Sequence, residues 1–202
     1  MLTELESLRT EVSALRDKDA IVTLQTAYGY YVDKAQWDEA ADLFARDATL
    51  EIAARGQFRG QTRIRAYLLA LPSLQEGTVF NHMQLQPLIT LDGDTAKGRW
   101  RAIMEVGFKG RESLCGEGTY ENGYVREDGV WKIAKLHFFV TYYVAWDNGW
   151  SDGGVPMGTP LPGMAPDALK TVEYDSFPSV YIPPYHYPNP VTGKFWNEEA
   201  SA

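Results

Sequence analysis

The hydrophobic pattern of this chain changes period at Pro72, and that change limits the folds open to it. Before Pro72, apolar residues recur every three or four positions, the spacing that lines one side of a helix; after it they alternate. Four alternating runs follow, at about Thr78 to Leu91, Thr95 to Phe108, Ser113 to Arg126 and Val130 to Ala145. Between them lies turn chemistry: Asp92-Gly93-Asp94, Lys109-Gly110 and Glu127-Asp128-Gly129. Connections this short can only fold a strand back beside its predecessor, so the runs predict an antiparallel meander. Helices first and strands afterwards predict an α+β domain, with the helices packed on one face of a curved sheet.

The helical part divides further. Leu2, Leu5, Leu8, Val12 and Leu15 make a stripe that could seal a neighbouring subunit or lie on its own domain; two heptads are too few for a coiled coil. Asp17 or Asp19 can cap a fresh helix through Ile21, Leu24, Tyr28 and Tyr31, ending near Asp33. A short helix from Trp37 or Asp38 to about Ala45, a short strand from Thr49 to Ala53 and a third helix from Gly60 to Leu69 complete this half, with Pro72 as the stop.

At Trp146 the composition changes again. Nine of the eleven prolines lie beyond it, with five aromatics between Tyr174 and Tyr187. Such a stretch cannot be a sheet interior or a long helix, yet it is too apolar for a solvated linker. It reads as an extended arm that wraps the domain, covers a pocket mouth or clasps a partner subunit. The organisation expected is therefore a helical extension over 1–16, a main domain over 17–146 and an arm over 147–202.

A length of 202 residues suits about one domain, and 45% hydrophobic residues can bury a sizeable core. The 27 acidic against 19 basic residues leave a net charge of −8 without a basic patch, which argues against nucleic acid as a partner. Cys115, the single cysteine, excludes an intrachain disulfide and reads as a buried structural thiol. The acidic start has no basic and apolar export pattern, and no apolar run approaches the roughly 18 residues of a membrane span, so a cytoplasmic protein without a membrane partner is expected.

Gly149-Trp150-Ser151-Asp152-Gly153 has the letters of a nucleophile elbow, but Gly154 and Pro156 prevent the helix that motif needs, so a turn is expected. His82, His137 and His186 lie about fifty residues apart, without the close pairing of common zinc sites. There is no phosphate-cradling loop or dinucleotide fingerprint, so no cofactor and no metal are expected. What remains is a set that should face one cavity: Tyr28, Tyr31 and Asp33 at the end of the second helix, His82 in the first long strand and Glu105 in the next, with Arg101 on the same parity able to hold Glu105 ionised. Taken singly, each has an ordinary reading: a helix-end Asp faces water, a strand His sits satisfied in a core and tyrosines pack.

The run from Ala27 to Ala48, AYGYYVDKAQWDEAADLFARDA, resembles the opening of the SnoaL-like group of the nuclear-transport-factor-2-like superfamily. The likeness continues through Arg59-Gly60, Ile64 to Leu68, Asn81-His82, Gly98-Arg99-Trp100 and Asp128 to Ile133, and covers roughly Asp17 to Trp146. It implies a cone: a strongly bent sheet closed by three helices around a deep, largely apolar pocket. Scytalone dehydratase and the bile-acid dehydratases in this group place an Asp at the end of the first helix and a His on the facing strand, and Asp33 and His82 match them. Tyr28 and Glu105 match a tyrosine and an acidic residue of the bile-acid enzymes. Two pocket residues of scytalone dehydratase have no counterpart, since Ile52 and either Glu105 or Val106 stand near their places.

A carboxylate beside an imidazole holds one tautomer, which makes such a pair a competent general acid or base near neutral pH. The resemblance implies a pocket in which Trp100, Arg101, Tyr120, Phe138 and Tyr142 contact a small aromatic substrate, in a homo-oligomer, dimer or trimer. The arm segment from Tyr181 to Pro190 resembles that of a bacterial subset that includes lignin-derived diarylpropane lyases. The implied activity is a cofactor-independent lyase that dehydrates a phenolic substrate to a quinone methide and releases formaldehyde to leave a stilbene. A simple dehydratase, isomerase or cyclase of a polyketide- or steroid-like ring compound is the nearest alternative, and a non-catalytic ligand-binding module the next.

Overall fold

The computed structural model describes residues 2–152, 154 and 161–196; Gly153, Pro156 and Pro160 of the expected turn and arm lie outside them. The elements are α1 (Leu2–Asp33), α2 (Trp37–Asp42), β1 (Phe44–Ile52), a 3-10 turn (Ala53–Arg55), β2 (Gln57–Arg59), α3 (Gln61–Leu69), β3 (Thr78–Asp92), β4 (Thr95–Phe108), β5 (Glu112–Glu127) and β6 (Val130–Ala145). One six-stranded sheet has the order β2-β1-β6-β5-β4-β3, with β1 parallel to β6 and every other pair antiparallel. The three helices lie over its concave face, giving the expected α+β cone with a mixed sheet that does not close. Fully buried Phe44, Phe58, Ile64, Tyr67, Trp100 and Leu136 fill the space between, each such side chain contributing roughly 1.5–3 kcal/mol.

The N-terminal helix does not break at Asp17. It runs unbroken for 32 residues, because the Asp17 carboxylate, instead of capping, accepts the Trp131 indole N–H at 3.0 Å and pairs with Arg126 at 2.7 Å. These partners hold Asp17 below the usual carboxylate range and pin the middle of α1 to the sheet. Its first half leaves Leu5, Leu8, Val12 and Leu15 exposed, so that stripe does not lie on its own domain. Helix α2 stops at Asp42 rather than Ala45, since Phe44 already pairs with Ile133 of β6 and is fully buried. Sheet pairing there overrides the helical preference of Ala45. Strand β2, absent from the sequence reading, is a three-residue hairpin partner of β1.

Three irregularities bend the long strands. On β3 the register slips between Leu85 and Leu88, where Gln86 takes φ 52° and Pro87 has no N–H to give the ladder. On β6, Ala134 and Thr141 are unpaired: Ile133 and Lys135 face Tyr124 and Gly123, while Val140 and Tyr142 face Gly118 and Glu117. Each extra residue exchanges the faces of the side chains that follow. Gly118 permits the second bulge, for a side chain there would collide with the Phe138 ring and the Phe139 carbonyl.

Of the arm's described residues, Met164 to Ala168 lie against α3 and β2, and those from Thr171 on lie over the convex face of the same sheet. Thr171 donates from its backbone N–H and its hydroxyl to the two oxygens of Glu51, both at 2.7 Å. The Val140 N–H donates to the Tyr174 hydroxyl at 3.0 Å, and the Phe177 N–H to the carbonyl of the unpaired Thr141 at 2.7 Å. Tyr174 and Tyr181 stack with Phe139. Arg99 sits 4.1 Å from the Tyr185 ring centroid and reaches the Pro183 carbonyl. None of the arm's described residues lines the cavity below; of the placements expected, they take the one that wraps the domain.

Candidate functional site

Close approach of α1 to β3 creates the site. Gly29 faces β3 so tightly that a side chain would stand 2.8 Å from Gln84 Cγ and 3.1 Å from the His82 carbonyl oxygen. One turn later Asp33 meets His82. Its Oδ1 accepts the His82 backbone N–H at 2.5 Å and lies 3.2 Å from the ring Nδ1. The amide bond orients the carboxylate, and the carboxylate assigns the ring proton to Nδ1, leaving Nε2 as the atom able to exchange a proton with a bound molecule.

Buried amides support the pair from behind. Gln84 Nε2 donates to the His82 carbonyl and its Oε1 accepts from Gln25, while Gln25 Oε1 accepts from Asn122 and from the Tyr124 hydroxyl. The Trp100 indole donates to Tyr124 at 2.8 Å, closing the chain. A fully satisfied network of this kind fixes one arrangement of side chains.

In front of His82 lies a cavity of about 220 Å³. Its wall is mostly apolar, with Phe80, Met104, Phe108 and Phe138, and is interrupted by Tyr28, Tyr67, Tyr120, Tyr143 and Arg55. Burial raises the pKa of Tyr28 and Tyr120, and pushes Tyr143 up to about 12. These phenols therefore stay protonated at neutral pH and offer hydrogen bonds without charge. Exposed Pro72 marks the rim.

Of the residues expected at the site, Tyr28, His82, Tyr120 and Phe138 line the cavity, with Asp33 directly behind His82. The others lie elsewhere. Tyr31 is half-buried against the core without lining the cavity, and Trp100 is sunk in the core, held by Tyr124. Strand β4 pairs with β5 without a bulge, so its parity never changes: Met104, Val106 and Phe108 face the cavity, while Arg101 and Glu105 point from the convex side. There Arg101 binds Gln86 and Glu117 at 2.8 and 2.7 Å, and Glu105 accepts from Asn81 at 3.0 Å. Tyr142 stacks on Trp150 outside, because the extra Thr141 puts Tyr143 in its place.

Sequence reasoning missed Arg55, Tyr67 and Tyr143. Tyr143 needed the bulge, Tyr67 was hidden among helical core positions, and Arg55 sits in a segment read as a connection, where Gly56 was the visible clue. Ser151 lies in an exposed 3-10 turn, Trp150–Asp152, and Cys115 is half-buried rather than buried. Among the described residues there is no group of three or more His, Cys, Asp or Glu placed to hold a metal, and no helix is long and apolar enough to cross a membrane.

Comparison with known proteins matches residues 13–137 to the SnoaL-like domain family. An uncharacterized protein of Mycobacterium tuberculosis is 25% identical over 139 residues, covering 67% of this chain and 92% of its own. Among solved structures, a scytalone dehydratase-like protein from Novosphingobium aromaticivorans superposes with a TM-score of 0.62 at 20% identity, over 75% of this chain and 97% of that one. A hexachlorocyclohexane dehydrochlorinase from Novosphingobium barchaimii gives 0.60 at 21% identity, over 73% and 99%. At such identities these structures share the fold.

Proposed function

Because the chain belongs to the SnoaL-like domain family, we propose that it is an acid–base elimination enzyme, a lyase that needs no cofactor and acts on a small phenolic aromatic compound in the cytoplasm. The observation that carries this reading is the oriented His82–Asp33 pair at the wall of an aromatic cavity. The two named structural neighbours, a dehydratase and a dehydrochlorinase by description, both remove a small group, and the reading borrows that reaction class. A 220 Å³ cavity holds one substituted ring, since about 150 Å³ admits benzene; a second ring would extend past the rim.

The finer reading is release of water followed by formaldehyde. With the substrate phenol ionised and His82 protonated, Nε2 delivers its proton to a benzylic hydroxyl, the C–O bond breaks and water leaves, while the phenolate electrons form a quinone methide. Neutral His82 then takes the hydroxyl proton of the neighbouring hydroxymethyl group. Its C–C bond breaks, formaldehyde departs, and the electron pair restores the phenolate of a stilbene. One imidazole can do both, giving a proton and taking one back near neutrality. Tyr28 and Tyr120 would hydrogen-bond a substrate oxygen. The arm's likeness to diarylpropane lyases favours this route over dehydration alone.

The test is to incubate the protein with phenolic aromatic diols and analyse products by mass spectrometry with a formaldehyde assay. A stilbene with equimolar formaldehyde is expected. Dehydrated product without formaldehyde leaves the coarser elimination reading, and no turnover of any diol removes both.

A further inference from the structure

Arg63, Arg65, Arg99, Arg101 and Arg126 each reach a carboxylate within 3.0 Å. Arg55, at the wall of the cavity, has no carboxylate partner among the described residues. Its Nη1 donates to the Tyr67 hydroxyl at 2.9 Å, and its Nε–H is buried without an acceptor. A cation used only for structure would not be kept in an apolar wall with a donor unsatisfied, because removing a guanidinium from water needs an anionic or strongly accepting oxygen in return. Tyr143 lines the same cavity, where the guanidinium opposes the rise that burial gives its phenol. Tyr67 accepts from Arg55, so its own O–H remains free to donate in the same region.

The backbone that presents Arg55 is built for the purpose and braced from outside. Ala53, a residue with a side chain, is held at φ 50°, and Gly56 at φ 84°. For Ala53 that conformation is costly and persists where surrounding structure imposes it, whereas Gly56 adopts its own without strain. The brace is the arm. Pro166 packs so closely on Gly56 that a side chain there would meet it at 2.6 Å, and Gln57 exchanges backbone hydrogen bonds with Asp167 and Ala168.

We infer that Arg55, with Tyr67 and Tyr143, is the anchor for the ionised phenol oxygen of the aromatic substrate, an inference that rests on the phenolic-substrate reading above. A guanidinium beside a phenol favours the phenolate, the form whose electrons drive elimination, while His82 acts on the leaving hydroxyl. Arg55 thereby selects phenols over their methyl ethers, and the arm acts on the site by holding the turn that carries it.

The test uses the full-length protein and 4-nitrophenol, whose phenolate absorbs in the visible and whose phenol does not. Bound to the wild type, the probe should ionise at least about 1 pH unit lower than in solution, as expected for a cation within a few ångströms. Arg55→Met should abolish that shift and weaken phenolate binding at least about tenfold, with an unchanged melting temperature. Arg55→Lys keeps the charge without the Nε donor and should keep only part of the shift, so it decides the matter if Arg55→Met does not fold. An undiminished shift in the folded variant, binding of the probe as neutral phenol, or no binding by the wild type overturns the anchor. The probe has no benzylic leaving group, so the readout is independent of turnover. An intact shift in a protein that converts no aromatic diol would sink the lyase reading and leave the anchor standing.

Discussion

The two faces of the sheet each carry a histidine beside a carboxylate, and they treat the pair differently. On the concave side His82 and Asp33 keep 19% and 15% of their side chains accessible, next to a cavity. On the convex side His137 Nε2 lies 3.4 Å from Glu51, at 1% and 2%, sealed beneath the arm. Burial dominates the second pair: it pulls the pKa of His137 down to about 4 against the opposing pull of Glu51. That imidazole is neutral at pH 7, and both Glu51 oxygens are taken by Thr171. A ligand can reach the first pair, and only the protein reaches the second. Accessibility and the identity of the third partner, more than the residue pair itself, separate a candidate catalyst from a fastening.

The sharpest way to break this comparison is to remove each imidazole. His82→Ala and Asp33→Asn should each lower kcat on a phenolic diol at least about 10²-fold with the fold intact by circular dichroism. Activity within a few-fold of wild type in either would erase the distinction between the faces. Thr171→Val should leave the buried Glu51 one donor short and cost about 1–3 kcal/mol in urea unfolding, with kcat far less affected than by the His82 change.

The pH dependence sharpens it further. Since His137 titrates near 4 when folded and near its ordinary 6.5 when unfolded, the unfolded chain alone takes up a proton between those values. Its contribution to stability is present above about 6.5 and is lost as pH falls toward about 4. The drop in urea midpoint from pH 7 to pH 5 should therefore be larger for wild type than for His137→Gln; equal drops would show that His137 takes no part. The smallest effect belongs to Glu105→Gln, which alters a convex-face bond to Asn81 and should change kcat by less than a few-fold.

The order of elements could be read from periodicity, because a meander of long strands with Gly-Asp turns leaves few alternatives. Asp33 and His82 were likewise readable, being at the end of one helix and within one strand. What escaped depends on contacts distant in sequence. Asp17 looks like a cap until Trp131 and Arg126 arrive from the far end of the chain. Tyr142 and Glu105 were expected in the cavity; alternation cannot place Tyr142, because a bulge intervenes, and for Glu105 it leaves the absolute face open until the sheet is bent. Pro87 did advertise its bulge by lacking an N–H, whereas Thr141 carries no such mark.

That unpaired threonine links two things that would otherwise be independent. It sets Tyr143, in place of Tyr142, at the cavity wall and, at the same residue, releases the carbonyl on which Phe177 of the arm is hung. Deleting Thr141 would close the bulge with Val140, Tyr142 and Tyr143 still opposite Gly118, Glu117 and Gly116, so Tyr143 would keep its side while Phe177 of the arm lost that acceptor. Grafted onto a relative with an unbulged final strand, this arm would keep its other attachments but leave the Phe177 N–H without that acceptor, so the bulge and the arm are best exchanged together.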